Sequence, residues 1–463
     1  MVDIDEATGL AKIHAPLKER EEQGRAARQL VPRRTLGEWD PATAERDPVA
    51  VLEQQAESRV TELVPIRHGR MAISPFAFFR GGAAIMAADL ATAPTTEILV
   101  QACGDAHVDN FGKFATPERN IVFDINDFDE TVPGPWEWDV KRLCASLHIV
   151  AEARGYDDAA ARDLVTTAAR AYRQRMTGFA HMRTLDLWYD RIHVDDVIAH
   201  FPKRSRATMH RTVRKAERKG HVRALDKLTV DVDGHLRFAE NPPLMVHITA
   251  TGHDMDELGP MITQYRESLS DERRELFDRF HVVDVARKVV GVGSVGTRCW
   301  VVLLEGPDHR EGDRLVLQVK EAQASVLEAH SGSSTLGHHG RRVVVGQRLT
   351  QAASDLFLGW TGSPISGREY YVRQLWDVKG QGDVLTMDDT TLSYYGALCA
   401  WALARAHART GDASQITAYL GGSTRFDDAI ARFAASYAET NRRDYDAFLD
   451  AIATGRIPAA PGF

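Results

Sequence analysis

The chain has 463 residues, 44% apolar, 26% charged and 8% aromatic, which excludes fibrous, collagen-like and wholly disordered classes. No run of eighteen apolar residues occurs and the acidic start MVDIDEATGLAKIHAP lacks a signal-peptide core, so no membrane span is expected and a soluble, cytoplasmic protein is. A net charge of −8 gives no general reason to hold nucleic acid, and four scattered cysteines without a C-x-x-C pair argue against a disulfide framework or zinc ribbon.

Residues 1–60 are mostly charged, with a basic run Lys18–Arg34, and read as an N-terminal arm with one helix around Pro48–Thr61. From Leu63 the composition becomes core-like. Ala83–Thr92 reads as a helix, Glu97–Ala102 and Asn120–Ile125 as short buried strands, and Val140–Arg154 and Ala159–Met176 as amphipathic helices. Lys203–Lys227 carries ten Lys or Arg; such a run reads first as a solvated helix face and otherwise as a local site for an anionic partner. Thr229–Phe238 reads as a hairpin turning at Asp233–Gly234, and Asp254–Phe280 as charged helix. Short β runs follow at Val289–Val290, Cys299–Leu304, Arg314–Val319 and Glu369–Leu375. Ser331–Gly340 reads as a loop, Arg341–Ala353 as a helix, and Leu392–Arg409 as a strong amphipathic helix.

Four pieces carry chemistry. In Gly104-Asp105-Ala106-His107-Val108-Asp109-Asn110-Phe111-Gly112, a carboxylate and an amide stand five residues apart on a turn after a strand. The carboxylate can take a hydroxyl proton and the amide oxygen can bind a hard cation, although Asp and Asn also simply make turns. Phe123-Asp124-Ile125-Asn126-Asp127-Phe128-Asp129-Glu130 crowds four carboxylates among apolar residues, a repulsion that a divalent metal relieves. Gly291-Val292-Gly293-Ser294-Val295-Gly296 is followed by a β-branched, aromatic run, which suits a glycine turn over ATP phosphates better than a Rossmann helix. Lys320 near the end of an apolar strand is a candidate phosphate ligand.

Together these pieces resemble a protein-kinase or aminoglycoside-phosphotransferase-like fold. Asp105 and Asn110 match the G-D-x-H-x-x-N loop, Asp127-Phe128-Asp129 the metal motif, and Pro135-Trp136-Glu137-Trp138-Asp139 supplies the later Asp, twelve residues beyond Asp127. The glycine turn, Lys320, the hinge-like Tyr371–Leu375 and the Leu392–Arg409 helix follow the catalytic loop instead of preceding it. Circular permutation gives this order and is tolerable where termini lie close at the surface. The sequence also resembles the bacterial domain-of-unknown-function family 2252, from about residue 60 to 450, through stretches such as GDAHVDNFG, PWEWDVKRL, KVVGVGSVGTR and YVRQLWDVKG.

The resemblance implies an α+β, two-lobed, circularly permuted kinase-like fold. Residues 61–280 and 381–463 would form the helical lobe, and 281–380 a β-rich nucleotide lobe. It implies an ATP- and Mg²⁺-dependent phosphotransferase acting on an unknown hydroxyl-bearing substrate, with Asp105 as base. Asn110 and Asp127 would hold the metal, with Asp124 and Asp129 as alternatives. Lys320 would bind the α/β-phosphates, Gly291, Gly293, Ser294 and Gly296 would cover them, Gln374 would sit in the hinge, and Asp139 would brace the catalytic loop. Arg70 and Arg80 read as structural partners of the acidic cluster or as anion binders. The Arg341–Ala353 stretch offers Gln347 and Gln351 but no glutamate for Lys320, so Glu321 or Glu328 would have to substitute. The same residues would serve a nucleotidyl transferase or a non-catalytic ATP-binding scaffold. A metallophosphoesterase using Asp105 and His107 would need later motifs that the sequence lacks.

Overall fold

Two strand pairs set the acidic motifs side by side. The computed structural model describes residues 13–43, 46–200, 206, 228–233, 235–247, 253–289, 291–307, 313–375, 382–460 and 462. Strands β1 (Leu99–Ala102), β2 (Phe111–Ala115), β3 (Ile121–Ile125) and β4 (Val132–Pro135) pair antiparallel, β1 with β4 and β2 with β3. Ala102 lies opposite Val132 and Phe111 opposite Ile125. The loop 103–110 and the loop 126–131 therefore leave and re-enter the strands at the same two places, and run alongside each other.

The helix Trp136–Ala153 starts directly after β4, and each residue from Trp136 to Ala151 is buried, as expected of a helix at the centre of a bundle. The helices Asp158–Ala180, Asp389–Thr410 and Arg425–Ala453 surround it. Trp136 stacks on Tyr172 at 5.6 Å between centroids, and each large apolar side chain enclosed here contributes about 1.5–3 kcal/mol. The C-terminal end of Asp389–Thr410 meets β1, where Thr410 Oγ1 accepts from Gln101 N at 3.2 Å.

The expected N-terminal arm is instead part of this lobe. Leu17–Leu30 is a helix packed against Ala413–Leu420. Its register is set by an Arg20–Asp412 ion pair at 3.0 Å and by Gly24, where a Cβ would lie 2.2 Å from Gln415 O. Few apolar residues are needed for such a contact, so the charged sequence concealed it.

The second lobe is an antiparallel sheet ordered β11–β12–β10–β9–β8–β7. Its strands are β7 (Met245–His247), β8 (His281–Lys288), β9 (Cys299–Glu305), β10 (Arg314–Ala322), β11 (Gly359–Gly362) and β12 (Glu369–Gln374), preceded by the expected hairpin β5 (Thr229–Val232) and β6 (His235–Phe238). Strand alternation sorts β10: Leu315 and Leu317 join Tyr265, Phe277 and Val372 on one face, while Val316 joins Phe238, Ala286 and Val301 on the other. Residue 281 is thus not the lobe boundary. The segments from Leu228 onward, including the helices His253–Glu267 and Asp271–Phe277, cover this sheet. Of the strand expected at Val289–Val290, Val290 lies outside the described residues; the strand before it is His281–Lys288, where a bulge between Val282 and Asp284 breaks the alternation. The helix expected over Arg341–Ala353 spans His339–Thr350, capped by His338, whose Nδ1 accepts from Arg341 N. The basic run Lys203–Lys227 lies, apart from Arg206, outside the described residues.

Candidate active site

The catalytic-type loop begins with a backbone that only glycine fits. Gly104 has φ +81°, and a Cβ there would lie 2.3 Å from Glu130 O. The turn is held from behind by Asp139, which accepts from Cys103 N at 2.7 Å and Gly104 N at 2.9 Å. Asp139 stands in the first turn of the Trp136–Ala153 helix, where a carboxylate also complements the helix dipole. His407 Nε2 contacts it at 3.0 Å, and Tyr172 OH meets His407 Nδ1 at 2.8 Å. Asp139 is 1% exposed, so it braces the loop from within the core.

One helical turn beyond Asp139, Arg142 donates through Nε to Asp105 Oδ1 at 2.6 Å and through Nη2 to Phe79 O at 2.9 Å. The Asp105 rotamer is thereby fixed, with Oδ2 3.7 Å from His107 Nε2. Burial, with Arg142 and Arg80 nearby, lowers the His107 pKa well below its ordinary value, so the ring is neutral at pH 7. Asn110 donates through Nδ2 to Asp105 O at 2.6 Å, which commits its nitrogen and leaves Oδ1 to accept. Arg80 pairs with Asp109 at 3.1 Å, so it steadies this loop and not the 124–130 cluster. Arg70 instead donates to Gly291 O in the glycine turn at 2.5 Å.

Across a cavity of about 360 Å³ stands the second lobe. Lys320 is 2% exposed, lies opposite Cys299 and Tyr371 in the sheet, and donates to Asp129 and, at 2.6 Å, to Ser294 Oγ. Tyr371 OH donates to Asp129 Oδ1 at 2.8 Å. Burial alone would raise Asp129, but the Lys320 charge and the hydrogen bonds from Lys320 and Tyr371 hold it below the ordinary carboxylate value. Burial likewise opposes the charge on Lys320, yet Asp129, Tyr371 and Asp127 raise its pKa. Asp127 goes the other way from Asp129: burial and the neighbouring Asp129 raise it, against the pull of Lys320. The partner of Lys320 is therefore Asp129. Glu321 pairs with Arg298 at 3.2 Å and Glu328 with Arg342 at 3.4 Å. The helix His339–Thr350 contributes Arg342, which donates to Thr131 O, Asp129 O and Gln323 O at 2.6–2.8 Å and pins the acidic loop.

Asp105, Asn110, Asp127, Gly291, Gly293 and Ser294 all line the cavity. Gly296 (φ +91°) anchors the turn's far end by accepting from Val60 N at 2.8 Å. Two expected residues are placed elsewhere. Asp124 has no exposed surface and is consumed by Arg405, Ala352 N and Ile125 N, so its position is that of a core ion pair, not a metal ligand. Gln374 donates its backbone N to Asp355 and faces a separate depression beside Phe114 and Gln351, because β12 carries it past the cavity mouth.

The cavity's donor set fits a hard cation shared with phosphate. Asp127 is held close to Asp129 and its charge is disfavoured by that neighbour; Asn126 Oδ1 next to it is buried with no hydrogen-bond partner among the described residues. Among the described residues no group of three or more His, Cys, Asp or Glu side chains forms a metal cage, and Mg²⁺ bound through one or two carboxylates, phosphate and water needs none.

The sequence pattern that defines DUF2252, described as an uncharacterized protein conserved in bacteria, matches residues 59–451. The chain belongs to the DUF2252 family. No curated protein and no solved structure matches it. The DUF2252 match takes in both walls of the cavity, from Arg59 through the catalytic-type loop to the small-lobe sheet. Among the described residues, no helix of this DUF2252 chain is long and apolar enough to cross a membrane. Arg142, Arg59 and Arg67 also belong to the site and were missed from sequence, and Tyr371, expected at the start of the hinge, reaches Asp129. Only Arg142 carried a signal, its spacing of one helical turn from Asp139.

Proposed function

We propose that this DUF2252 chain is an ATP- and Mg²⁺-dependent phosphotransferase acting on a hydroxyl acceptor, built on a two-lobed, circularly permuted kinase-like fold. The observation that carries the proposal is the meeting of Lys320 and Ser294 with Asp129 at a cavity whose other wall presents Asp105, Asn110 and Asp127. Support for the permuted connection comes from the end of Asp389–Thr410 lying against β1, the strand that enters Gly104. The small-lobe sheet adds a glycine turn between β8 and β9, a lysine on β10 and a helix before β11, the arrangement that kinases use over ATP.

Bound ATP and Mg²⁺ supply the transferable γ-phosphoryl group and the charge that neutralises it. Asp105, fixed by Arg142, orients the acceptor hydroxyl and takes its proton. Asn110 and Asp127 would hold the Mg²⁺. Lys320, now held by Asp129 and Ser294, would take the α/β-phosphates in exchange for Asp129, and the 291–296 turn would exclude water from them.

Titration calorimetry with ATP and MgCl₂ tests this. Wild type and His339→Ala bind, Lys320→Met loses binding, and Asp105→Asn binds without turnover. Release of ADP identifies phosphoryl transfer, whereas pyrophosphate would mean nucleotidyl transfer on the same residues. A folded wild-type protein that binds no ATP ends the proposal.

A further inference from the structure

Arg67 is the residue that the mechanism above leaves unexplained. It is 1% exposed and lines the cavity, yet its Nε and Nη1 have no hydrogen-bond partner among the described residues. Only Nη2 is used, by Gln55 Oε1 at 3.2 Å and Gly81 O at 2.9 Å. Among the described residues no carboxylate forms an ion pair with it, and burial and the neighbouring Arg59 cation both lower its pKa. Arg59 lines the same cavity, donates Nη1 to Val295 O of the glycine turn at 2.5 Å, and also has an unpartnered Nε. Asp129, Glu130 and Glu321 act on Arg59 electrostatically, so the uncompensated charge is concentrated on Arg67. Buried guanidinium groups are kept where an oxyanion completes their hydrogen bonds.

The position says which oxyanion. Arg67 holds Gly81 O, and Arg142 holds Phe79 O in the same turn while its Nε holds Asp105. Arg67 is thus on the Asp105 wall, whereas Lys320 and Ser294 serve the opposite wall. We infer that Arg67, assisted by Arg59, is a phosphate-binding subsite for the acceptor, so that the acceptor is a phosphomonoester with a free hydroxyl. This rests on the phosphotransferase reading only in assigning the phosphate to the acceptor; the anion subsite itself stands on Arg67.

The test uses inorganic phosphate as the probe, by calorimetry and thermal melting of the full chain, with and without a saturating non-hydrolysable ATP analogue and Mg²⁺. Phosphate binds wild type in both conditions. Arg67→Met weakens phosphate by about tenfold or more, the loss of a charge-assisted bidentate contact, and leaves analogue binding unchanged; Lys320→Met does the reverse, and Arg59→Met, which also releases Val295 O of the glycine turn, weakens both. Arg67→Met also keeps or raises the melting temperature without phosphate, because it removes an unpaired buried charge. Should it fail to fold, Arg67→Lys decides, because it keeps the charge but loses the two-pronged guanidinium contact and so weakens phosphate alone. Three results overturn the inference: no phosphate binding by wild type, phosphate affinity unaffected by the arginine substitutions, or full competition between phosphate and the analogue, which would give the guanidiniums to the nucleotide. Failure of the analogue to bind while phosphate still does would sink the ATP reading and leave the subsite in place.

Discussion

Replacing Asp139 by Ala removes one acceptor and strands three donors. Cys103 N, Gly104 N and His407 Nε2 all converge on this carboxylate, at 2.7, 2.9 and 3.0 Å. The site is closed to solvent, with Asp139 at 1% and His407 at 0% exposure, so no water replaces the lost oxygens. Each buried donor left unpaired costs about 1–3 kcal/mol. A shared relaxation of the loop makes the sum less than additive, which puts Asp139→Ala at about 3–6 kcal/mol, a large part of an ordinary domain's stability of about 5–15. Asp139→Asn keeps one oxygen and turns an NH₂ group toward the remaining donors, so it loses about as much as one or two of those bonds. Urea unfolding followed by tryptophan fluorescence reads the change as a midpoint shift at constant slope. A loss under about 1 kcal/mol for Asp139→Ala would refute the bracing role.

Gly104→Ala forces a side chain into φ +81° against Glu130 O and should cost at least about 2 kcal/mol in a thermal or urea melt. Asp124→Ala takes the carboxylate from the buried Arg405 and leaves it Asp190 O, which should cost about 3–5 kcal/mol while the proposed Mg²⁺ and nucleotide response of the folded fraction is unchanged; a lost metal response at unchanged stability would restore Asp124 to the ligand set. Burial pushes Glu130 from 4.5 up to about 7. Since the folded value is the higher one, its stabilising contribution is complete below pH 4.5 and lost as pH rises through 7. Glu130→Gln should therefore flatten the stability profile across that window and gain relative to wild type at pH 8, as successive pH-resolved melts would show.

The two acidic loops were legible because each follows a short apolar strand, and a strand end is where polar side chains collect. The small-lobe strands were legible from β-branched runs such as Cys299–Leu304. Pairings formed at long range were not. Asp124 and Asp127 stand three residues apart in one motif, and nothing local says that Arg405, 281 residues on, claims the first. The partner of Lys320 is equally remote, 191 residues back at Asp129. The Leu17–Leu30 helix escaped notice because a close glycine contact and an ion pair hold it, neither of which produces hydrophobic periodicity.

The sheet of residues 245–374 interrupts the chain of the helical lobe, and this has a cost during synthesis. The Trp136–Ala153 helix is buried on every side, its charged residues included, and the Asp389–Thr410 and Arg425–Ala453 helices that cover it emerge from the ribosome much later. At about 5–20 residues per second the delay is roughly ten to fifty seconds. During that interval the interrupting lobe can fold on its local strand contacts, while the nascent helical core remains exposed and adhesive. Chains stalled or cleaved before residue 389 would be substrates for chaperones and proteases, because the surface meant for the last helices has nothing to cover it.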